Sequence, residues 1–225
     1  MASKFLGVLG FMVASSISIG GAHAAESSTY VGASIGRSGT DRDFEFTNPR
    51  ITTRISADEN DSVLVGTFKI GKYLTKNIRA EIEFGYLGTS DTSALFNPFT
   101  TTTQSVETRS RRLMANVAYD VELASGFKIY PMAGIGFARN TSDGFQTSAA
   151  GTVSDFASKT SNNFAWSVGA GASMDISDAI TLDLSFQHLN LGSSDTGMSE
   201  FGLLDEQFTG DLTSQEIKVG IRYKF

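Results

Sequence analysis

Ile217-Lys218-Val219-Gly220-Ile221-Arg222-Tyr223-Lys224-Phe225 alternates an apolar residue with a charged or small one at every step. Successive side chains of a strand point to opposite faces, so this segment has one wholly apolar face and one polar face. Glu216 continues the polar set. The pattern recurs back along the chain. Its apolar sets are Val31, Ala33, Ile35; Leu64, Gly66, Phe68, Ile70; Ile78, Ala80, Ile82, Phe84, Tyr86; and Leu113, Ala115, Val117, Tyr119, Val121. Then come Phe127, Ile129, Pro131, Ala133, Ile135, Phe137; Phe164, Trp166, Val168, Ala170, Ala172, Met174, Ile176; and Ile180, Leu182, Leu184, Phe186. Eight strands result, most about 9–13 residues long, the length a tilted strand needs to cross a bilayer.

The connections alternate as well. Residues 74–77, 123–126 and 177–179 are tight turns carrying Gly, Asn, Asp or Ser, suited to hairpins. The others, 38–61, 88–106, 140–162 and 190–213, are long. This predicts an all-β fold: an eight-stranded antiparallel up-and-down transmembrane β-barrel with short periplasmic turns and four long surface loops.

A soluble eight-stranded barrel alternates equally, with its apolar set inside. Three features favour the membrane. The polar face is rich in small residues (Gly85, Gly134, Gly136, Gly169, Gly171, Gly220, Ala118); glycine weakens a strand facing water but suits a narrow lumen. Aromatics gather near strand ends at Tyr73, Tyr86, Phe127, Phe164, Tyr223 and Phe225, as interfacial girdles require. The chain also carries an export signal. Lys4, the apolar run Phe5 to Ala14 and the Ala22-His23-Ala24 site describe a signal peptide over 1–24, too short in its apolar run to span a bilayer. Residues 25–225 are then the barrel domain.

Composition excludes much else. The 225 residues are 40% apolar, hold no Cys and only two His, and carry a formal charge of −6. No disulfide framework, thiolate metal site or cysteine nucleophile is possible. A site built on several histidines is excluded, and the acidic balance argues against nucleic acid as a partner.

Four segments carry a resemblance. Tyr30-Val31-Gly32-Ala33-Ser34-Ile35-Gly36 resembles the first strand of the eight-stranded porin-like outer-membrane family that includes opacity proteins and the transmembrane domain of outer membrane protein A. Tyr130-Pro131-Met132-Ala133-Gly134-Ile135-Gly136-Phe137 resembles their fifth strand and Leu182 to Gly192 their seventh. Ile217 to Phe225 is similar to their closing strand, whose terminal aromatic the barrel-assembly machinery is expected to recognise; that assigns Tyr223 and Phe225 as the assembly signal. The resemblance implies an outer membrane of a Gram-negative envelope, with outer-membrane lipid and lipopolysaccharide as surroundings. The family holds adhesins, surface antigens and envelope-stabilising barrels. Outer membrane protein A also has a periplasmic peptidoglycan-binding domain, and that role is not carried over to this chain.

The inward face holds Arg79, Glu81, Glu83, Arg112, Asp120, Lys128, Asp175, Asp183, Glu216, Lys218, Arg222 and Lys224. Charges in low dielectric must pair, so Arg79, Glu81, Glu83, Arg112, Asp183, Lys218 and Arg222 are expected to form a network that plugs the lumen. Arg79, Glu81 and Glu83 are placed to meet Arg112, and Lys218 and Arg222 to meet Asp183. Glu81 and Glu83 also have the makeup of an acid/base pair, but flanking arginines favour a structural role. His188 is the one imidazole after residue 24. In lipid A deacylase barrels a Ser follows the His by two residues; here Asn190 stands there, so no catalytic residue is assigned. His188 is expected at the interfacial rim. Pro131, which cannot donate a ladder bond, calls for a bulge or strand end.

The loops are where recognition is expected. The first and fourth are acidic, but neither has calcium-loop spacing, and no metal or cofactor is expected. Phe96 and Phe99 in Phe96-Asn97-Pro98-Phe99 are surface-contact candidates. The expected function is a non-enzymatic, monomeric surface protein presenting its loops to a host or environmental ligand. The alternative is a narrow pore for ions or small solutes.

Overall fold

The computed structural model describes residues 28–48, 51–56, 61–95, 103–147, 151, 153–197 and 207–225. The signal-peptide segment and Phe96 and Phe99 lie outside them. Ten strands follow one another: β1 (Thr29–Asn48), β2 (Ile51–Ser56), β3 (Asp61–Tyr73), β4 (Ile78–Leu95), β5 (Thr103–Tyr119), β6 (Val121–Ala124), β7 (Phe127–Thr147), β8 (Val153–Asp175), β9 (Ile180–Ser193) and β10 (Gln207–Lys224). Eight of them pair antiparallel in the order β10-β9-β8-β7-β5-β4-β3-β1, and β10 pairs back onto β1. The closing register runs unbroken from Tyr30↔Lys224 to Thr47↔Gln207. This is a closed up-and-down barrel, as the period-two pattern predicts.

The short turns form on residue types that satisfy their own backbone. The Leu74 amide donates to the Ile78 carbonyl at 2.8 Å and the Ile78 amide to Thr75 Oγ1 at 2.9 Å. Ser177 repeats the device, accepting from the Ile180 amide at 3.1 Å. Gly126 takes φ 76°, a left-handed conformation that disfavours a side chain.

At the other end the ladders continue beyond the barrel. β4–β5 pairs to Leu95↔Thr103, β5–β7 to Thr103↔Thr147 and β7–β8 to Thr147↔Val153. β2 pairs with β1 from Asp43↔Ser56 to Asn48↔Ile51. Much of each long connection is therefore strand rather than irregular loop.

The outward face is a broad apolar belt. Ile35, Phe68, Phe84, Leu113, Ile135, Phe164, Leu184 and Ile217 are all exposed. On β7 it runs outward from Phe127 to Phe137, which at strand rise and tilt covers about 26 Å, the height of a barrel's lipid-facing band. Tyr86 and Phe164 stand towards one end of it and Phe127, Tyr223 and Phe225 at the other. Tyr73 is a correction. It shares the parity of buried Lys69 and Gly71 and turns into the lumen, where its hydroxyl donates to Asp120 Oδ2 at 3.0 Å.

Pro131 needs no bulge on its β8 side, where it pairs with Ala170 in register. On its other side β5 pairing ends at Ala118↔Met132 and β6 pairing begins at Val121↔Ile129. The register is the same on both sides, which sets Pro131 opposite Tyr119, so its missing donor interrupts the ladder without shifting it. Asp120, between β5 and β6, donates its amide to the Asn77 carbonyl at 2.7 Å.

Candidate functional site

Lumen-facing side chains fall into stacked groups. Nearest the short turns, β4 supplies Arg79 and Glu81, two residues apart and on the same face. Arg79 Nε donates to Glu81 Oε1 at 2.9 Å, and its Nη1 pairs with Asp120. Lys69 Nζ from β3 lies 3.4 Å from Glu81 Oε2. Arg222 Nε from β10 donates to Asp183 Oδ2 on β9 at 2.5 Å. Tyrosines tie these pairs together. Tyr30 donates to Glu81 at 2.6 Å and Tyr130 to Asp183 at 2.9 Å. The Arg79 guanidinium lies over the Tyr130 ring, 4.0 Å from its centroid. Three cations and three carboxylates make this group neutral.

One step higher lies a second neutral group. Arg112 on β5 reaches Glu216 on β10 at 2.7 Å and Glu83 on β4 at 3.6 Å. Lys218 lies 3.1 Å from Glu216 and 3.5 Å from Glu83, and its ammonium donates to Gln187 on β9. The two groups correct two expected pairings. Lys218 does not meet Asp183, and Arg79 and Glu81 do not meet Arg112; only Glu83 does. A third, half-exposed group closes the short-turn rim, where Lys128 and Lys224 hold Asp175 at 2.8 and 3.1 Å.

Towards the long connections the lumen turns apolar. Val63, Val65, Leu87, Met114, Ala138, Ala165, Leu189, Leu191 and Leu212 form one buried cluster drawn from seven of the eight barrel strands. Beyond and between them are paired hydroxyls: Ser38 with Ser214 at 2.6 Å, Thr40 with Ser90 at 3.0 Å and Thr108 with Ser142 at 2.9 Å. The lumen is thus filled twice over, by balanced charge and by hydrocarbon. Buried pairs of this kind cost desolvation and add little net stability, but removing one partner leaves a charge with no solvent to hold it.

Glu81 and Glu83 belong to different groups, each held by its own cations, so they do not converge on a shared site. His188 points outward, its ring 5.7 Å from that of Trp166, on the opposite side of the β9 backbone from buried Gln187. Lys69, Tyr30, Tyr73, Tyr130 and Gln187 belong to the network, although charge counting along the strands did not select them. Parity alone would have found all five.

The model of the outer membrane protein beta-barrel domain family matches residues 9–225. The chain belongs to that family. It is accordingly an outer-membrane protein, and the exposed apolar belt is its lipid-facing surface. Outer membrane protein PagN of Salmonella typhimurium is 28% identical over 123 residues, 53% of this chain and 51% of PagN. The matched region thus spans about half the length of that relative. A Rickettsia bellii protein provisionally named an adhesin is 25% identical over 73% of this chain and 76% of its own. Among solved structures, OprG of Pseudomonas aeruginosa superposes with a TM-score of 0.54 at 10% identity, covering 88% of this chain and 96% of OprG. The Escherichia coli protease OmpT reaches 0.50, also at 10% identity, over 88% of this chain and 97% of OmpT. At these identities the superpositions speak for the fold alone.

Proposed function

We propose that this family member is a non-enzymatic surface protein whose barrel is a sealed scaffold and whose long connections make contact with a host or environmental surface. The carrying observation is the double filling of the lumen beneath ladders that continue past the lipid belt. A rigid filled barrel with projecting hairpins is suited to presenting recognition segments, and it offers a solute no path. The name of the Rickettsia relative lends support. In this reading residues 1–24 are removed on export, Phe96 and Phe99 contact the ligand, and the outward aromatics Tyr223 and Phe225 are read by the assembly machinery. The working unit is one barrel.

The test is attachment of bacteria displaying the chain to cultured cells and abiotic surfaces, with Phe96→Ser/Phe99→Ser and loop-exchanged variants at matched surface density. Attachment that falls with loop exchange supports the reading. Attachment equal to that of cells lacking the chain overturns it. The pore alternative predicts steady single-channel steps from the refolded protein.

A further inference from the structure

The lipid belt ends abruptly against arginine. On β5 the outward run of Tyr119, Val117, Ala115 and Leu113 stops at Arg111; on β7 the run stops after Phe137 at Arg139. Leu113 and Phe137 face each other across the ladder, and so do Arg111 and Arg139 one step further. Both arginines are exposed, and among the described residues no carboxylate pairs with either. Directly opposed like charges destabilise a sheet, and the pair stands in a chain of net charge −6. Arg111 also lies over the Tyr86 ring, 5.9 Å from its centroid. On none of the eight strands is the first outward residue beyond the belt a carboxylate, and on β1 it is again an arginine, Arg37. Acids enter further out, at Glu107 and Asp143, where Asp143 pairs with Arg109 at 3.0 Å.

We infer that Arg111 and Arg139, flanked by Tyr86 and standing on the Leu113–Phe137 shelf, form a binding site for a phosphate of lipid A, the phosphorylated glycolipid of the outer leaflet. The long-connection end of such a barrel faces outward, which puts both guanidiniums at headgroup depth above a hydrocarbon wall. Arginine stems lie along apolar surface while their heads stay polar, and the fork matches phosphate in a bidentate fashion. A phosphate between the two guanidiniums turns a repulsive pair into a bridged one. Acyl chains of the same molecule cover Leu113 and Phe137, so charge and hydrocarbon select one amphiphile. The site rests on the outer-membrane placement and is independent of the adhesion reading.

The experiment uses the refolded protein in nanodiscs of phosphatidylcholine alone, or with phosphatidylglycerol, diphosphoryl lipid A or monophosphoryl lipid A at equal mole fraction. The readout is the unfolding midpoint, followed by gel mobility. Diphosphoryl lipid A should raise the midpoint beyond phosphatidylglycerol, and the monophosphoryl form should bind roughly tenfold more weakly, the worth of one charge-assisted bond. Arg111→Gln/Arg139→Gln should be at least as stable as the parent in phosphatidylcholine, where it is freed of the repulsion, and lose the lipid A increment. An equal increment from phosphatidylglycerol, or one retained by the double variant, overturns the site. Should the variant not fold, the comparison of the two lipid A forms on the parent protein decides, equal binding being the overturning result. No step reads attachment, so failure of the adhesion reading leaves this outcome unaffected.

Discussion

The Tyr130 ring occupies the space that a side chain on Gly171 would fill: a Cβ built there would overlap the phenol. The same relationship joins Tyr30 to Gly71. Each tyrosine reaches over a glycine of the neighbouring strand and delivers its hydroxyl to a buried carboxylate, so the bare glycine is what lets the phenol reach Asp183 or Glu81.

Gly171→Ala should therefore be overpacked and shift Tyr130 off Asp183, lowering stability by roughly 1–3 kcal/mol. Urea unfolding of the refolded protein in detergent measures this. Adding Tyr130→Ser should remove the clash with the phenol and leave the one with the Leu184 carbonyl, so the double variant should be less impaired than the sum of the two singles.

Glu81→Ala leaves Lys69 and Arg79 without their shared carboxylate in a buried setting. A loss of about 3–5 kcal/mol is expected. Exchanging the whole linked set of Lys69, Arg79, Glu81 and Asp120 for hydrocarbon of similar volume should cost less than Glu81→Ala alone, because no charge is stranded. The folded fraction on a heat-modifiability gel separates these outcomes.

Conductance tests the two fillings separately. The parent protein should give no steady channel in planar bilayers. Glu81→Ala/Glu83→Ala should also give none, because the Leu87, Met114, Leu189, Leu191 and Leu212 cluster still blocks the bore. Frequent steps from the carboxylate variant alone would show that the apolar layer leaks.

Pro131→Ala should be close to neutral, within about 0.5 kcal/mol. The register already runs unshifted past that point, the one ladder bond regained is offset by the loss of the proline's rigidity, and the side chain faces lipid. A large gain in stability would mean that the β5–β6 gap closes once a donor is supplied.

Strand number, facing and closure were legible because period two assigns every side chain to a face. Tyr73 was misplaced by a looser cue, nearness to a strand end, when parity with Lys69 and Gly71 put it inside. The ionic partners were half legible. Arg222 and Asp183 sit on adjacent strands, and reading along the sheet finds them. Arg112 and Glu216 lie on β5 and β10, across the lumen, where the stagger of a closed barrel fixes the meeting and no local pattern reveals it. The length of the long connections was plain, but the ladders inside them were not, since exposed hairpins have no buried face to impose alternation.

The β1–β10 ladder carries a temporal consequence. Its partners, from Tyr30 with Lys224 to Thr47 with Gln207, come from opposite ends of the chain. No cylinder exists until residues near 225 have met residues near 30, and every earlier intermediate has two bare sheet edges and an unscreened charged interior. Such an object is costly to leave in water and costly to leave in lipid. Insertion and closure are therefore a single late event, slow for its sequence separation, and the newly exported chain has to be held unfolded until then.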